Sequence, residues 1–155
     1  MTGFLSGEAF AVDTKTSGTL TGLRWGSASE LPVLALHGWL DNASSFAPLA
    51  SHLSGFQLLA LDLPGHGHSQ HRPPGMRYHL LDYVPAVLEA AEGLGWESGL
   101  IMGHSLGGAI AGLVAIAARE RVRAMILIEG LGPLSEPETK LPGRLRNSVE
   151  GYARA

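Results

Sequence analysis

A chain of 155 residues is one domain long, and its 45% hydrophobic and 16% charged content supports a buried core and excludes a disordered polypeptide. A net charge of −3 leaves no electrostatic footprint for a nucleic-acid partner. The absence of cysteine excludes disulfides, thiolate metal centres and a cysteine nucleophile. The first ten residues, MTGFLSGEAF, lack a basic region followed by an apolar one, so no secretory signal is expected. Phe10–Val12 and Leu20–Trp25 then read as an N-terminal hairpin, with Ser17–Gly18 near its turn. Val33–Leu36, Leu58–Leu61, Gly99–Met102 and Ala124–Ile128 are nearly unbroken apolar runs, the pattern of strands buried on both faces of a parallel sheet.

Helical patterns separate these runs. Ser44 to Leu53 predicts a short helix, with cap oxygens available from Asp41 and Asn42. Leu80 to Leu94 places Val84, Val87, Leu88, Ala91 and Leu94 on one face, with Pro85 in the first turn and Asp82 near the cap. Leu106 to Ala118 is rich in small residues, and Ala109, Gly112 and Ala115 are expected to bring its backbone close to the sheet. Alternating strand and helix from 31 to 128 predicts βαβ crossovers and an α/β fold with a mostly parallel sheet. The charge-free run Gly99 to Ala118 is long enough to span a bilayer, but it holds His104, Ser105 and several glycines and begins as a strand. A soluble, cytoplasmic protein with no membrane partner is expected.

Three motifs carry chemistry. Gly103-His104-Ser105-Leu106-Gly107-Gly108 follows a predicted strand and opens a predicted helix. A serine on so sharp a turn projects its Oγ above the sheet end, and bulk two residues to either side would clash. The Leu106 N–H, at a helix N-terminus, would then face developing negative charge. The bland alternative is a tight turn carrying an ordinary serine. Leu36-His37-Gly38-Trp39 follows another strand at the same sheet end. There the Trp39 N–H is a candidate second oxyanion donor, and the indole could line an acyl pocket or simply pack. Asp62-Leu63-Pro64-Gly65-His66-Gly67-His68-Ser69 reads as a structural loop in which Asp62 bonds its own turn amides. His66, His68 and His71 decorate a Gly/Pro turn, which is poor support for a metal.

HGW, DLPGHGHS and GHSLGG, in this order and on these elements, resemble the α/β-hydrolase superfamily. LPVLALHGWLDNASSF further resembles its serine hydrolase-like branch, and the resemblance covers residues 8 to 133. It implies a sheet of eight mostly parallel strands with a cap commonly inserted after the sixth. Residues 1–133 would then be the N-terminal part of an α/β-hydrolase core and 134–155 the start of a cap, with the chain truncated there. Ser105 matches the nucleophile, and Leu106 and Trp39 match the oxyanion-hole residues. The family's base histidine would lie beyond Ala155. The acid usually follows the seventh strand, but in some relatives, certain haloalkane dehalogenases among them, it follows the sixth, where Glu129 stands. His104 is expected beneath the elbow, His37 as a fixer of the oxyanion loop, and His52 and His79 at the surface.

The resulting expectation is a serine hydrolase acting on ester-like or other acyl bonds of a small-molecule substrate through an acyl-enzyme, with no cofactor or metal. Serine at the elbow argues against dehalogenase or epoxide hydrolase chemistry, where relatives use aspartate. An acyltransferase would share Ser105. A non-catalytic module of the same fold, binding a ligand or a partner, is the reading from a different class. Without the base histidine, the chain alone is expected to turn over little, and an open apolar sheet edge would favour aggregation.

Overall fold

The computed structural model describes residues 6–130, 138–140 and 142–143. Six strands, β1 (Glu8–Thr14), β2 (Gly18–Trp25), β3 (Leu31–Leu36), β4 (Phe56–Leu61), β5 (Gly99–His104) and β6 (Val122–Ile128), form one sheet in the order β1-β2-β4-β3-β5-β6. β3 pairs in parallel with both β4 and β5, and β5 with β6, whereas β1–β2 and β2–β4 are antiparallel. The order reverses at β3. Ligands of open α/β sheets bind beyond the carboxyl ends of the strands at such a switch point.

β3, β4 and β5 are covered on both faces, which is why their sequences are continuously apolar. One face packs Leu34, Leu36, Leu59, Leu61 and Ile101 against α2 (Tyr83–Gly93) and α3 (Leu106–Ala117). The other sets Val33, Ala35, Leu58, Ala60 and Met102 against Ala43 and Phe46. α2 buries Tyr83, Ala86, Val87, Ala90 and Ala91. Pro85 sits in its first turn, where its missing N–H has no intrahelical acceptor to lose. Burial without a hydrogen-bond partner pushes the Tyr83 phenol up to about 12. Among the described residues no helix is long and apolar enough to cross a membrane.

Three local expectations are corrected. The predicted helix from Ser44 to Leu53 is a 3-10 turn over Ala43–Phe46 followed by the four-residue α1 (Ala47–Ala50). Asn42 caps the turn by accepting from the Ser44 N–H at 2.9 Å. Pro48 supplies no N–H and Ser54-Gly55 follow at once, so the segment is too short to propagate.

The small-residue face of α3 does not meet the sheet. Ala109, Gly112 and Ala115 line an outward groove with Leu80, Ile116 and Met125, and a Cβ on Gly112 would touch nothing within 4 Å. Helix phase puts Gly107, Gly108 and Ala111 inward instead, where close approach is needed. β6, expected to be buried on both faces, is an edge strand with Met125, Ile126 and Ile128 exposed, because no described element pairs beyond it. Most of segment 134–155, expected as the start of a cap, lies outside the described residues.

Candidate active site

Ser105 stands between β5 and α3 at φ +49°, ψ −110°, a conformation L residues rarely adopt. Strain of this kind persists only where the surroundings over-determine it. Here the Ser105 N–H donates to the Ile128 carbonyl at 3.0 Å, and the Ser105 carbonyl accepts from Gly108 and Ala109 N–H at 2.9 and 3.2 Å. The flanking glycines are obligatory on both sides. A Cβ on Gly103 would lie 2.3 Å from the Gly107 carbonyl oxygen, and one on Gly107 would lie 2.0 Å from that of Leu36. The serine side chain is exposed at the sheet end. Leu106 opens α3, so its N–H is one of the four without an intrahelical acceptor, at the positive end of the helix dipole.

The loop after β3 lies directly alongside. A Cβ on Gly38 would be 3.6 Å from Ser105 Cβ and 2.9 Å from His104 Nδ1, so only glycine lets this backbone pass the elbow. Trp39 follows, 61% exposed, with its ring edge-on to that of His66 at 5.4 Å. Leu40 then turns the chain at φ +57°, closing a bond from the Asp41 N–H to the Gly38 carbonyl at 3.3 Å.

Glu129 comes straight after β6, itself at φ +52°. Gly130 packs on the elbow, since a Cβ there would be 2.9 Å from the Ser105 carbonyl oxygen. The exposed Glu129 carboxylate reaches to 3.6 Å from His104 Nε2. His104 is therefore not beneath the elbow, as expected, but half-exposed beside it. The missing side chain of Gly38 leaves the space its ring occupies. Ser105, Leu106, Gly38, Trp39 and Glu129 thus come from three adjacent strand ends, those of β3, β5 and β6.

His37 is fully buried. The Leu63 N–H donates to its Nε2 at 3.0 Å, and its Nδ1 lies 2.7 Å from the Gly38 carbonyl oxygen. Since Nε2 accepts, Nδ1 carries the proton and donates. Its pKa is pushed down, chiefly by burial and further by neighbouring His66, against the opposing pull of the Gly38 bond and of Asp62 and Asp41. Unfolded, the ring takes a proton near its ordinary value of 6.5; folded, it takes one only at lower pH. The stability from the neutral buried ring is thus present above pH 6.5 and lost as pH falls towards the folded value. The urea midpoint should fall between pH 7 and pH 5.5, and fall less in His37→Asn; equal losses in the two proteins would contradict this.

Asp62, at the end of β4, does more than bond its own turn. Its carboxylate accepts from His68 N–H at 3.0 Å, from Thr21 Oγ1 at 2.9 Å and from Ala43 N–H at 2.7 Å. It ties its own loop to β2 and to the segment that continues the Trp39 loop. His66, expected to decorate a turn, is buried against His37, with ring centroids 5.1 Å apart. Its Nδ1 lies 3.1 Å from the Pro64 carbonyl oxygen of the same turn. His68, His71, His52 and His79 are exposed. Among the described residues no group of three or more His, Asp or Glu is arranged to hold a metal ion.

The family description "alpha/beta hydrolase fold" matches residues 32–154. A serine hydrolase-like protein of Dictyostelium discoideum is 37% identical over 141 residues, covering 89% of this chain and 39% of that protein. An esterase of Mycobacterium tuberculosis is 30% identical over 148 residues, covering 94% of this chain and 48% of that one. The crystal structure of a hypothetical protein from Pseudomonas aeruginosa PAO1 superposes with a TM-score of 0.83 at 41% identity, over 94% of this chain and 51% of its own. The chain thus spans about half, or less, of the length of these relatives. The match over residues 32–154 and the six-stranded sheet with its strained serine turn agree: the chain belongs to the α/β-hydrolase superfamily, in its serine hydrolase-like branch.

Proposed function

We propose that these residues form the nucleophile half of a serine hydrolase site that cleaves ester-like or other acyl bonds through an acyl-enzyme. The observation that carries this reading is the Ser105 elbow at φ +49°, exposed at the sheet end with the Gly38 backbone packed against it. Ser105 Oγ attacks the carbonyl carbon while a histidine takes its proton. The Leu106 and Trp39 N–H groups hold the resulting oxyanion, and the histidine returns the proton to the leaving alcohol. Water, deprotonated by the same histidine, then attacks the acyl-serine and frees the acid. His37 has both ring nitrogens committed, and His104 Nε2 faces Glu129. The base in this reading is a histidine outside these 155 residues, as the family resemblance implies. Sequence similarity to an esterase supports an ester-like bond.

Glu129 is the acid of this reading. Its strained backbone and its carboxylate on the Ser105 side of the sheet suit a group that orients a histidine above the elbow. Glu129→Gln in the full-length protein is expected to lower turnover roughly 10²-fold, less than the ~10⁴-fold effect at a buried triad carboxylate, because Glu129 is exposed. Unchanged turnover would assign the acid to another residue. The reading as a whole is tested by a fluorophosphonate probe on the full-length protein: labelling that Ser105→Ala abolishes supports it. A wild-type protein that stays unlabelled favours a ligand-binding module of the same fold.

A further inference from the structure

We propose that His104 is the positioning residue of Glu129: its imidazole, lodged in the space that Gly38 leaves open, holds the Glu129 carboxylate beside the Ser105 elbow and leaves one carboxylate oxygen for the base histidine. This inference rests on the reading of Glu129 as the acid and assigns the group that fits an exposed glutamate for that task.

His104 and Ile128 are register partners on β5 and β6. Side chains alternate along a strand, so a regular continuation of β6 would send Glu129 to the face opposite His104. Glu129 instead takes φ +52°, a conformation that favours glycine, and the alternation ends there. Gly130 seats the turn against the Ser105 carbonyl, with no room for a side chain of its own. The result is a carboxylate whose Oε2 lies 3.6 Å from His104 Nε2. Strained non-glycine residues of this kind cluster at active sites, where the distortion serves the placement of a group.

The turn fixes the Glu129 backbone but not its side chain, which is 82% exposed. A free glutamate samples many rotamers, and an acid that must meet a histidine N–H in the transition state loses rate in every other one. Among the described residues, the ion-pair partner of Glu129 is His104. The imidazole is itself wedged. A Cβ on Gly38 would lie 2.9 Å from its Nδ1, so one edge of the ring rests on the loop after β3 while the other faces the end of β6. A carboxylate accepts on both oxygens, so with Oε2 towards His104 the second oxygen stays available. Because a carboxylate only accepts, Nε2 carries a proton, in the neutral Nε2–H tautomer or in the charged ring.

Three variants of the full-length protein separate the donor from the space it fills. His104→Ala is expected to lower kcat on an activated ester roughly fivefold, the upper end for a solvent-exposed pair, with KM within about twofold. His104→Gln brings an amide N–H to the position of Nε2 and is expected to restore kcat to within about twofold of the wild type. His104→Leu fills similar space without a donor and should stay as low as His104→Ala. In a Glu129→Ala background, His104→Ala should cost nothing further, since the two residues act as a unit. Recovery by leucine as complete as by glutamine, unchanged kcat in His104→Ala, or losses at 104 and 129 that multiply would each overturn the proposal.

A second measurement needs no variant. Ring nitrogen NMR of the wild-type full-length protein at pH 7.5 should show a proton on Nε2 of His104. A neutral Nδ1–H imidazole, which would turn a bare nitrogen towards the carboxylate, would overturn the proposal whether or not the variants fold. Fluorophosphonate labelling tells its failure from that of the hydrolase reading. Wild-type protein that stays unlabelled would sink both, whereas labelled protein in which the losses at 104 and 129 multiply would sink this proposal alone.

Discussion

Ser105→Ala in the full-length protein is expected to lower kcat on an activated ester by roughly 10⁶-fold, the scale measured when a serine nucleophile is removed from a complete triad. The residual rate, about 10³–10⁴-fold over water, would come from binding and the oxyanion amides. The fold should tolerate the change. The hydroxyl is exposed, and the bonds that hold the elbow come from the Ser105 backbone N–H and carbonyl, which alanine keeps. Alanine meets the φ +49° strain no worse than serine does. The variant therefore separates chemistry from structure: its unfolding midpoint should match the wild type while its turnover disappears. Retained ester hydrolysis would place the nucleophile elsewhere.

Asp62→Ala is expected to act on stability by about 3–4 kcal/mol, a large share of the ~5–15 kcal/mol typical of a domain. The carboxylate is buried and is the acceptor for Ala43 N–H, His68 N–H and Thr21 Oγ1. Each donor left unsatisfied in a buried position costs about 1–3 kcal/mol. The total stays below the simple sum because a cavity of about 660 Å³, lined by Asn42, Ser44 and His68, adjoins the carboxylate and can admit water. Asp62→Asn should lose less, since it keeps one acceptor oxygen and the Thr21 hydroxyl can reverse its role. A urea titration gives both values. A loss under about 1 kcal/mol in Asp62→Ala would show that the three donors find other partners.

The central strands were legible because their environment is simple. Val33–Leu36, Leu58–Leu61 and Gly99–Met102 face protein on both sides, so continuous apolar runs report them directly. Ser105 was legible for a related reason: glycines two residues to either side stand where a Cβ would fall 2.0 and 2.3 Å from backbone oxygens, and few other arrangements need them. Ala124–Ile128 has the same composition, yet β6 is exposed, since a strand's sequence records what it can bury rather than what lies against it. The phase of α3 leaves little trace in its sequence, because glycine and alanine occur on both its faces and weaken the periodicity.

Partners distant in sequence left the least trace. Nothing near Asp62 indicates that its carboxylate reaches Ala43 and Thr21, and nothing near Glu129 indicates that it lies over His104. These contacts follow from the order β1-β2-β4-β3-β5-β6, which brings the end of β4 beside the middle of β2 and the end of β3, and the ends of β5 and β6 side by side. The tautomer of His37 is of the same kind: it depends on a donor 26 residues away.

Acid-quenching the full-length protein during its first turnover of a p-nitrophenyl ester, followed by peptide mass mapping, tests the account at its centre. The acyl mass should appear on the peptide that carries position 105, and on its hydroxyl. Ester hydrolysis with that peptide unmodified, or with the acyl group on another side chain, would contradict it.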